Sequence, residues 1–123
     1  MATETKTEKL EKVLEELKNI GEVGGSIIAS RDGLKIASDA GKIDEDVFAA
    51  MAAAMQGAAE TAASELRQGE VEQIVIETEK GKIISTGAGK KAILIIRASK
   101  GVNLGLALLE MGKAAEKISE ILR

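Results

Sequence analysis

The side chains best suited to acid–base chemistry in this chain are its carboxylates. The closest pairs, Glu15 with Glu16 and Asp44 with Asp46, have the residue types of a general acid and base. Surface charge on one helix and capping of another explain them better, since acids favour the positive start of a helix. Histidine and cysteine are absent, which removes the commonest general base, the commonest metal ligand and a thiol nucleophile. We therefore expect no catalytic residues, no metal and no cofactor, and predict that the chain is not an enzyme.

The segment Gly87-Ala88-Gly89-Lys90 has the ending of a phosphate-binding loop. The Walker pattern also requires a glycine where this chain has Ile84, and a serine or threonine where it has Lys91. Both requirements fail, so a charged β-turn is the better interpretation.

Three arginines, Arg31, Arg67 and Arg97, are of the type that supplies an arginine finger to a GTPase. Nothing in their sequence context distinguishes them from ordinary surface residues. The sequence therefore assigns them no chemical role.

Composition indicates one ordinary globular domain over residues 1–123, with 45% hydrophobic and 30% charged residues. A net charge of −3 and a single aromatic residue, Phe48, argue against a nucleic-acid partner, which favours a basic surface and stacking rings. No apolar run is long enough to span a bilayer. We expect a cytoplasmic protein with no membrane partner.

Two helices and a hairpin are predicted in the first half of the chain. Thr5 and Glu8 form a capping box that opens a first amphipathic helix, which ends at Gly21. Two strands then meet at Asp32-Gly33, a turn in which both residues are expected to have positive φ. A long helix follows from about Glu45 to Arg67 and stops at Gly69. Its predicted apolar stripe consists of Phe48, Met51, Met55, Ala58 or Ala59, Ala62 and Leu66.

The second half predicts three strands and a last helix. The strands run over Val71–Thr78, Ile83–Ala88 and Ala92–Ser99, with short turns between them, and Asn103 is the expected N-cap of the helix. Short turns make neighbours antiparallel, and the most apolar strand, the fifth, belongs in the centre. The prediction is an α+β fold, α-β-β-α-β-β-β-α, with a five-stranded antiparallel sheet in the order 2-1-5-4-3.

The two edges of this sheet differ in sequence. The second strand carries Lys35 and Asp39, charges that discourage edge pairing, whereas the third carries a β-rich run without proline. We predict a homodimer that pairs the third strand with its copy and packs the alanine-rich helix against its copy. The predicted interface residues are Ala49, Ala52, Ala53, Gln56, Glu72, Gln73, Ile74, Val75, Ile76 and Glu77.

The hairpin Ser30–Ser38, the small-residue helix after it and the strands from Gln73 to Ile96 together resemble the roadblock / dynein light chain family, and its prokaryotic MglB-type members in particular. The resemblance covers nearly the whole chain. It implies that the long helix covers one face of the sheet and the two terminal helices the other. It also implies dimers joined through the third strand and the long helix, which agrees with the difference between the edges.

The resemblance implies a non-enzymatic scaffold that binds and regulates a small Ras-like GTPase, in some members by stimulating GTP hydrolysis. The candidate docking surface is the helix face with Gln56, Glu60, Ser64 and Arg67. Two alternatives remain open at this point. One is a structural adaptor subunit with no nucleotide-dependent partner, and the other is a small-molecule sensor, for which convergent polar residues are lacking.

Overall fold

The computed structural model describes residues 3–123. One antiparallel sheet has the order β2-β1-β5-β4-β3, which confirms the predicted order and the α+β fold. The elements are α1 Lys6–Glu16, β1 Val23–Ser30, β2 Lys35–Asp39, α2 Glu45–Glu65, β3 Ile74–Glu77, β4 Gly81–Ala88, β5 Ala92–Ser99 and α3 Leu104–Leu122, with a 3₁₀ turn over Leu17–Ile20.

The core lies in two layers, one on each face of the sheet. β5 shows why: Leu94 and Ile96 point into a cluster with α1 and α3, while Ile93 and Ile95 point into a second cluster with α2. Each of these side chains is at most 1% exposed, and burying one stabilises the fold by about 1.5–3 kcal/mol. The placement that the family resemblance implied is confirmed: α2 covers one face, and α1 and α3 cover the other.

Side-chain caps begin all three helices. Thr5 and Glu8 form the predicted capping box of α1. The Asp44 carboxylate accepts the N–H groups of Asp46 and Val47 at the start of α2, and the Asn103 amide oxygen accepts that of Leu106 at the start of α3. Each cap pairs main-chain N–H donors that the start of a helix leaves unpaired, and typically stabilises the fold by about 1 kcal/mol.

The hairpin turn differs from the prediction in one respect. Only Gly33 has a positive φ, of 86°, and Asp32 does not share it. The Gly33 N–H donates to the Ser30 carbonyl and the Ser30 N–H to the Leu34 carbonyl, so an ordinary turn is closed by a left-handed glycine. This is the three-residue loop with a glycine bulge, and it needs one positive φ instead of two.

The end of α2 also differs. The helix stops at Glu65, and its end is marked by the left-handed residue Arg67, with a φ of 57°, two residues before the predicted stop at Gly69. The N–H groups of Arg67 and Gln68 reach back to the carbonyls of Ser64 and Ala63. This pattern is a Schellman motif, in which the left-handed residue is usually glycine.

The predicted apolar stripe of α2 is partly wrong. Phe48 is buried and Met55 half-buried, but Met51 and Leu66 are 53% and 70% exposed. The buried positions are Phe48, Ala49, Ala52 and Gln56. Because alanine occupies every face of this helix, the apolar pattern does not define which face turns inward.

β3 is shorter than predicted and covers only Ile74–Glu77. It pairs with β4 from Ile74 opposite Ser85 to Glu77 opposite Lys82. Val71, Glu72 and Gln73 lie outside the strand, so the chain reaches the sheet three residues later than the sequence pattern indicated.

No helix between residues 3 and 123 combines the length and the apolar character needed to cross a membrane.

Candidate functional site

The outer side of β3, which we call the open edge, has no strand partner in the described part of the chain. β3 is an outermost strand of the sheet, and its residue Val75 is 39% exposed. Main-chain N–H and C=O groups that a strand leaves unpaired form a template for pairing with another chain. The open edge is therefore a candidate interaction surface.

An apolar shoulder lies beside the open edge, on the face of the sheet that α2 covers elsewhere. Ile76 pairs with Ile83, which packs against the α2 cluster, so both isoleucines and Ile74 face that side. All three are only half-buried, because α2 packs mainly on β1 and β5. Further apolar cover would bury them.

The outer face of α2 is also apolar. Val47 and Met51 are 54% and 53% exposed, and small residues continue their line at helical spacing. These are Ala50, Ala54, Ala58 and Ala62, all exposed. The sequence does not distinguish this face as a separate surface, because the inward and outward faces of α2 have nearly the same composition.

The structure divides the predicted dimer interface. Ala49 and Ala52 are fully buried in the α2 cluster of their own chain, so they contribute little surface to an interface with a second copy. Gln56 is 2% exposed and lines the cleft described below. Ala53 is half-buried. The remaining residues lie on β3 (Ile74, Val75, Ile76, Glu77) or just before it (Glu72, Gln73), and for them the interface stays a prediction.

A cleft of about 900 Å³ opens beneath the second half of α2, and we call it the α2 cleft. Its lining includes residues of α2, the segment Gly69–Glu72, and Gly87, Gly89 and Lys90. Gln56, Glu60 and Ser64 line it, and these are three of the four residues predicted as a docking surface. Arg67 is exposed beyond the end of the helix and does not line the cleft.

Arg31 reaches the α2 cleft from the hairpin turn. Its Nη1 donates to Glu60 at 2.8 Å and its Nη2 to the Gly89 carbonyl at 3.1 Å. The sequence could not indicate this position, because Arg31 and Glu60 are far apart along the chain. Arg31 is thus held inside its own domain and does not project as a free finger. Arg97 is held likewise, with its Nη2 donating to the Gly24 carbonyl at 3.2 Å.

Four buried side-chain atoms lack hydrogen-bond partners within the described residues. Oε1 of Gln56 and Nε of Arg31 belong to residues that line the cleft, and the other two are Oγ of Ser85 and Nε of Arg97. Buried polar atoms are normally paired, so each exception points to a group still to be satisfied. Residues 3–123 contain no group of three or more His, Cys, Asp or Glu side chains that could hold a metal ion.

Comparisons with known proteins place this fold. The protein MJ1340 of Methanocaldococcus jannaschii is 43% identical over 110 residues, which span 89% of this chain and 96% of that protein. MglB of Myxococcus xanthus has the same fold, with a TM-score of 0.86 at 22% identity, covering 99% of this chain and 93% of that one. A structure described as MglB with tetrameric arrangement gives 0.87 at 21% identity, covering 98% and 93%. The Roadblock/LC7 domain profile matches residues 9–98, and the chain belongs to this family.

Proposed function

We propose that the protein is a homodimeric regulator that binds a small Ras-like GTPase and catalyses no reaction of its own. Membership of the Roadblock/LC7 family supports the proposal, because the resemblance seen in the sequence implies this role. The fold is shared with MglB over nearly the whole of both chains, which supports it further.

The open edge is the main observation that supports the proposed dimer. Pairing β3 with a second copy about a twofold axis satisfies its free main-chain groups and extends the sheet to both chains. The same axis brings the apolar shoulder and the outer faces of the two α2 helices together, since both lie on one face of the sheet. One interface thereby covers three surfaces that a single chain leaves exposed. The tetrameric arrangement described for an MglB structure also supports self-association.

The second half of α2 is the proposed GTPase-docking region. Glu60 and Ser64 are exposed there, and Arg67 is exposed just beyond the end of the helix. A continuous sheet would present two such regions on the same side of the dimer. Regulation would then follow from binding to one nucleotide state of the GTPase more tightly than to the other, since a ligand shifts an equilibrium only by its differential affinity.

A pull-down tests the proposal. Small GTPases of the source organism are loaded with GDP or a non-hydrolysable GTP analogue and passed over the immobilised protein. We expect at least one to bind in a nucleotide-dependent manner. The substitution Arg67→Glu should weaken binding, whereas Lys42→Glu, an equal charge change at an exposed loop site, should not. Binding that ignores the nucleotide would favour the adaptor alternative, and no binding by any GTPase would contradict the proposal.

A further inference from the structure

The main-chain groups of the open edge come from alternate residues of β3. The Thr78 N–H donates to the Gly81 carbonyl at 2.8 Å in the turn between β3 and β4. Because the main-chain groups of an antiparallel strand point to alternate sides, Ile76 bonds β4, whereas Val75 and Glu77 direct their N–H and C=O groups outwards. A second strand at this edge therefore bonds the main chain of Val75 and of its odd-numbered neighbours.

The side chains of β3 favour one register for pairing with a second copy. With the twofold axis at Val75, this residue lies opposite its own copy, and Ile74 lies opposite Ile76. The Gln73 amide then lies opposite the Glu77 carboxylate, to which it can donate a hydrogen bond. An axis at Ile74 or Ile76 would instead place a glutamate opposite an apolar side chain. Since cross-strand pairs of like character stabilise a sheet, the axis lies at Val75.

This register forms an apolar floor on the face of the sheet that carries α3. Val75 pairs with Ile84, which packs in the cluster with α1 and α3, so both side chains face that side. Val75 is exposed in a single chain. In the proposed dimer, a row of two Val75 and two Ile84 side chains crosses the join between the two sheets without a polar residue.

Helix α3 supplies a wall on each side of this floor. It packs on β4 and β5, and Lys117 on one of its flanks forms a salt bridge with α1. The opposite flank, towards β3, carries Leu108 and Gly112, in line at helical spacing with Ser119, which lies beside Gly89 of the turn between β4 and β5. The twofold axis makes the two walls identical.

Gly112 keeps this wall open. It is exposed in the interior of α3, and a Cβ there would have no neighbouring atom within 4 Å. Glycine in the interior of a helix costs about 1 kcal/mol relative to alanine, and no contact within residues 3–123 requires one at this position. Leu109 beside it is 57% exposed. The flank thus combines apolar surface with a point at which another backbone can approach closely.

The distance between the two walls fits one helix. Because α3 lies over β4 and β5, the axes of the two α3 helices would be about four strand spacings, or about 19 Å, apart. Packed helices have axes about 8–10 Å apart, so a helix midway between the walls would pack on both. A strand would find no partner there, since pairing of the two β3 strands uses the free main-chain groups of the floor.

We infer that the dimer binds one amphipathic helix of a partner protein between its two α3 helices. We call this site the α3 trough, and it consists of Val75, Leu108, Leu109 and Gly112 of both copies. The inference rests on the proposed homodimer. The α3 trough lies on the opposite face of the sheet from the α2 helices, so the bound helix and a GTPase do not compete for one surface.

Charge at the borders of the α3 trough defines the partner helix further. Glu77 and Glu116 are exposed there and form no salt bridge in the described structure. Lysine or arginine beside the apolar stripe of the bound helix would complement them. Because one helix fills a trough that two chains form, the complex contains one helix for each dimer.

The test selects helices from a displayed library on the full-length wild-type protein. Each member has about 18 residues, or about 27 Å of helix, with an alanine-rich background and one randomised face. We expect enriched helices with an apolar stripe flanked by basic residues. A synthetic enriched helix should bind with a micromolar Kd in isothermal titration calorimetry, at one helix per dimer.

Two glutamine variants locate the binding site. Gly112→Gln places a long polar side chain on the wall, where the fold has room for it, and should weaken binding at least roughly tenfold. Lys113→Gln introduces the same residue at the neighbouring exposed site outside the α3 trough and should leave the Kd unchanged. Both variants should sediment as dimers, so that loss of the dimer does not explain weaker binding. Amide chemical-shift changes in the wild-type protein should concentrate in Leu104–Gly112 and at Val75.

Failure of the inference and failure of the proposed function give different results. No enriched helix from a dimeric protein, equal binding by both glutamine variants, two helices per dimer, or shift changes confined to α2 would overturn the inference alone. A tetramer that Gly112→Gln dissociates would also overturn it, by assigning the α3 trough to further copies of this chain. Wild-type protein that sediments as a single chain would overturn the α3 trough and the proposed homodimer together.

Discussion

The two edges of the sheet are built differently. At β2, Lys35 bonds Glu45 of α2 at 2.7 Å and Asp39 bonds Lys18 of the 3₁₀ turn at 3.1 Å. Helices α1 and α2 both pack against this strand. At β3, no helix packs closely and no residue forms a salt bridge in the described structure.

The difference in charge pairing between β2 and β3 indicates which edge can pair with another chain. Charges tied to neighbouring helices keep an edge strand from pairing with other chains, whereas an apolar strand without them invites pairing. The same kind of charge pairing would protect β3 as it protects β2, but β3 has none within residues 3–123. We therefore interpret the unprotected edge as an interface.

The largest expected effect is at the open edge. Val75→Asp should raise the dissociation constant of the dimer by roughly 100-fold, because two like charges would face each other near the twofold axis at a cost of several kcal/mol. Light scattering should show the mass falling towards that of one 12.9 kDa chain. Leu34→Asp, the matched loss of an exposed apolar residue beside β2, should leave the mass unchanged. Equal effects of the two substitutions on the mass would contradict the assignment of β3, and not β2, to the dimer interface.

The second prediction separates the inner and outer faces of α2. Ala52→Leu should destabilise the fold by about 1–3 kcal/mol, because Ala52 is fully buried and has no room for a larger side chain. Ala50→Leu, on the exposed outer face, should cost much less. Urea unfolding of both variants checks this, and similar losses would show that the outer face is also buried within one chain.

The third prediction concerns the connection that leads to the open edge. Arg67→Gly should stabilise the fold by about 1 kcal/mol, since the left-handed conformation costs an arginine roughly that amount and costs glycine none. Arg67→Ala is the control, because it removes the side chain and keeps the strained backbone. A stability gain for the glycine variant alone supports the account, and a loss in both would assign the side chain a structural role.

The smallest effect is expected at the protected edge. The hydrogen bond from Lys35, and then that with Ser38, lowers the pKa of Glu45. The carboxylate therefore favours the folded state above the ordinary pKa of glutamate, and this contribution is lost as the pH falls through the lowered value. Lys35→Ala should return the Glu45 pKa towards its ordinary range in an NMR titration. The mass of the assembly should not change. New species larger than the dimer would show that the Lys35–Glu45 pair alone prevents β2 from pairing with other chains.

Much of the fold followed from the sequence because turns and apolar runs decide it. The short turns made neighbours antiparallel, and the nearly all-apolar β5 could only be central, which gave the correct strand order. The inward face of α2 could not be predicted, because alanine lies on all sides of the helix. Its rotation about its axis is defined only by packing on the sheet, which buries Phe48. The early start assigned to β3 had a related cause: Val71 continues the strand pattern although the chain has not yet reached β4.

Of the residues that line the α2 cleft, the sequence could group only those that α2 contributes. Gln56, Glu60 and Ser64 recur at helical spacing and so share a face, which the sequence reveals. The other lining residues, Arg31 among them, come from distant segments, and no local pattern marks their approach. Convergence of polar groups, which the sequence did not show, is a property of the folded chain.

Contacts between copies report directly whether β3 pairs with its own copy. In an equal mixture of ¹³C-labelled and unlabelled protein, isotope-filtered NOE spectra report only contacts between two chains. We expect cross-strand contacts among Ile74–Glu77 of one copy and the same residues of the other, joined by contacts from Met51. Contacts from Lys35–Asp39 instead, or none in a protein that sediments as a single chain, would contradict it.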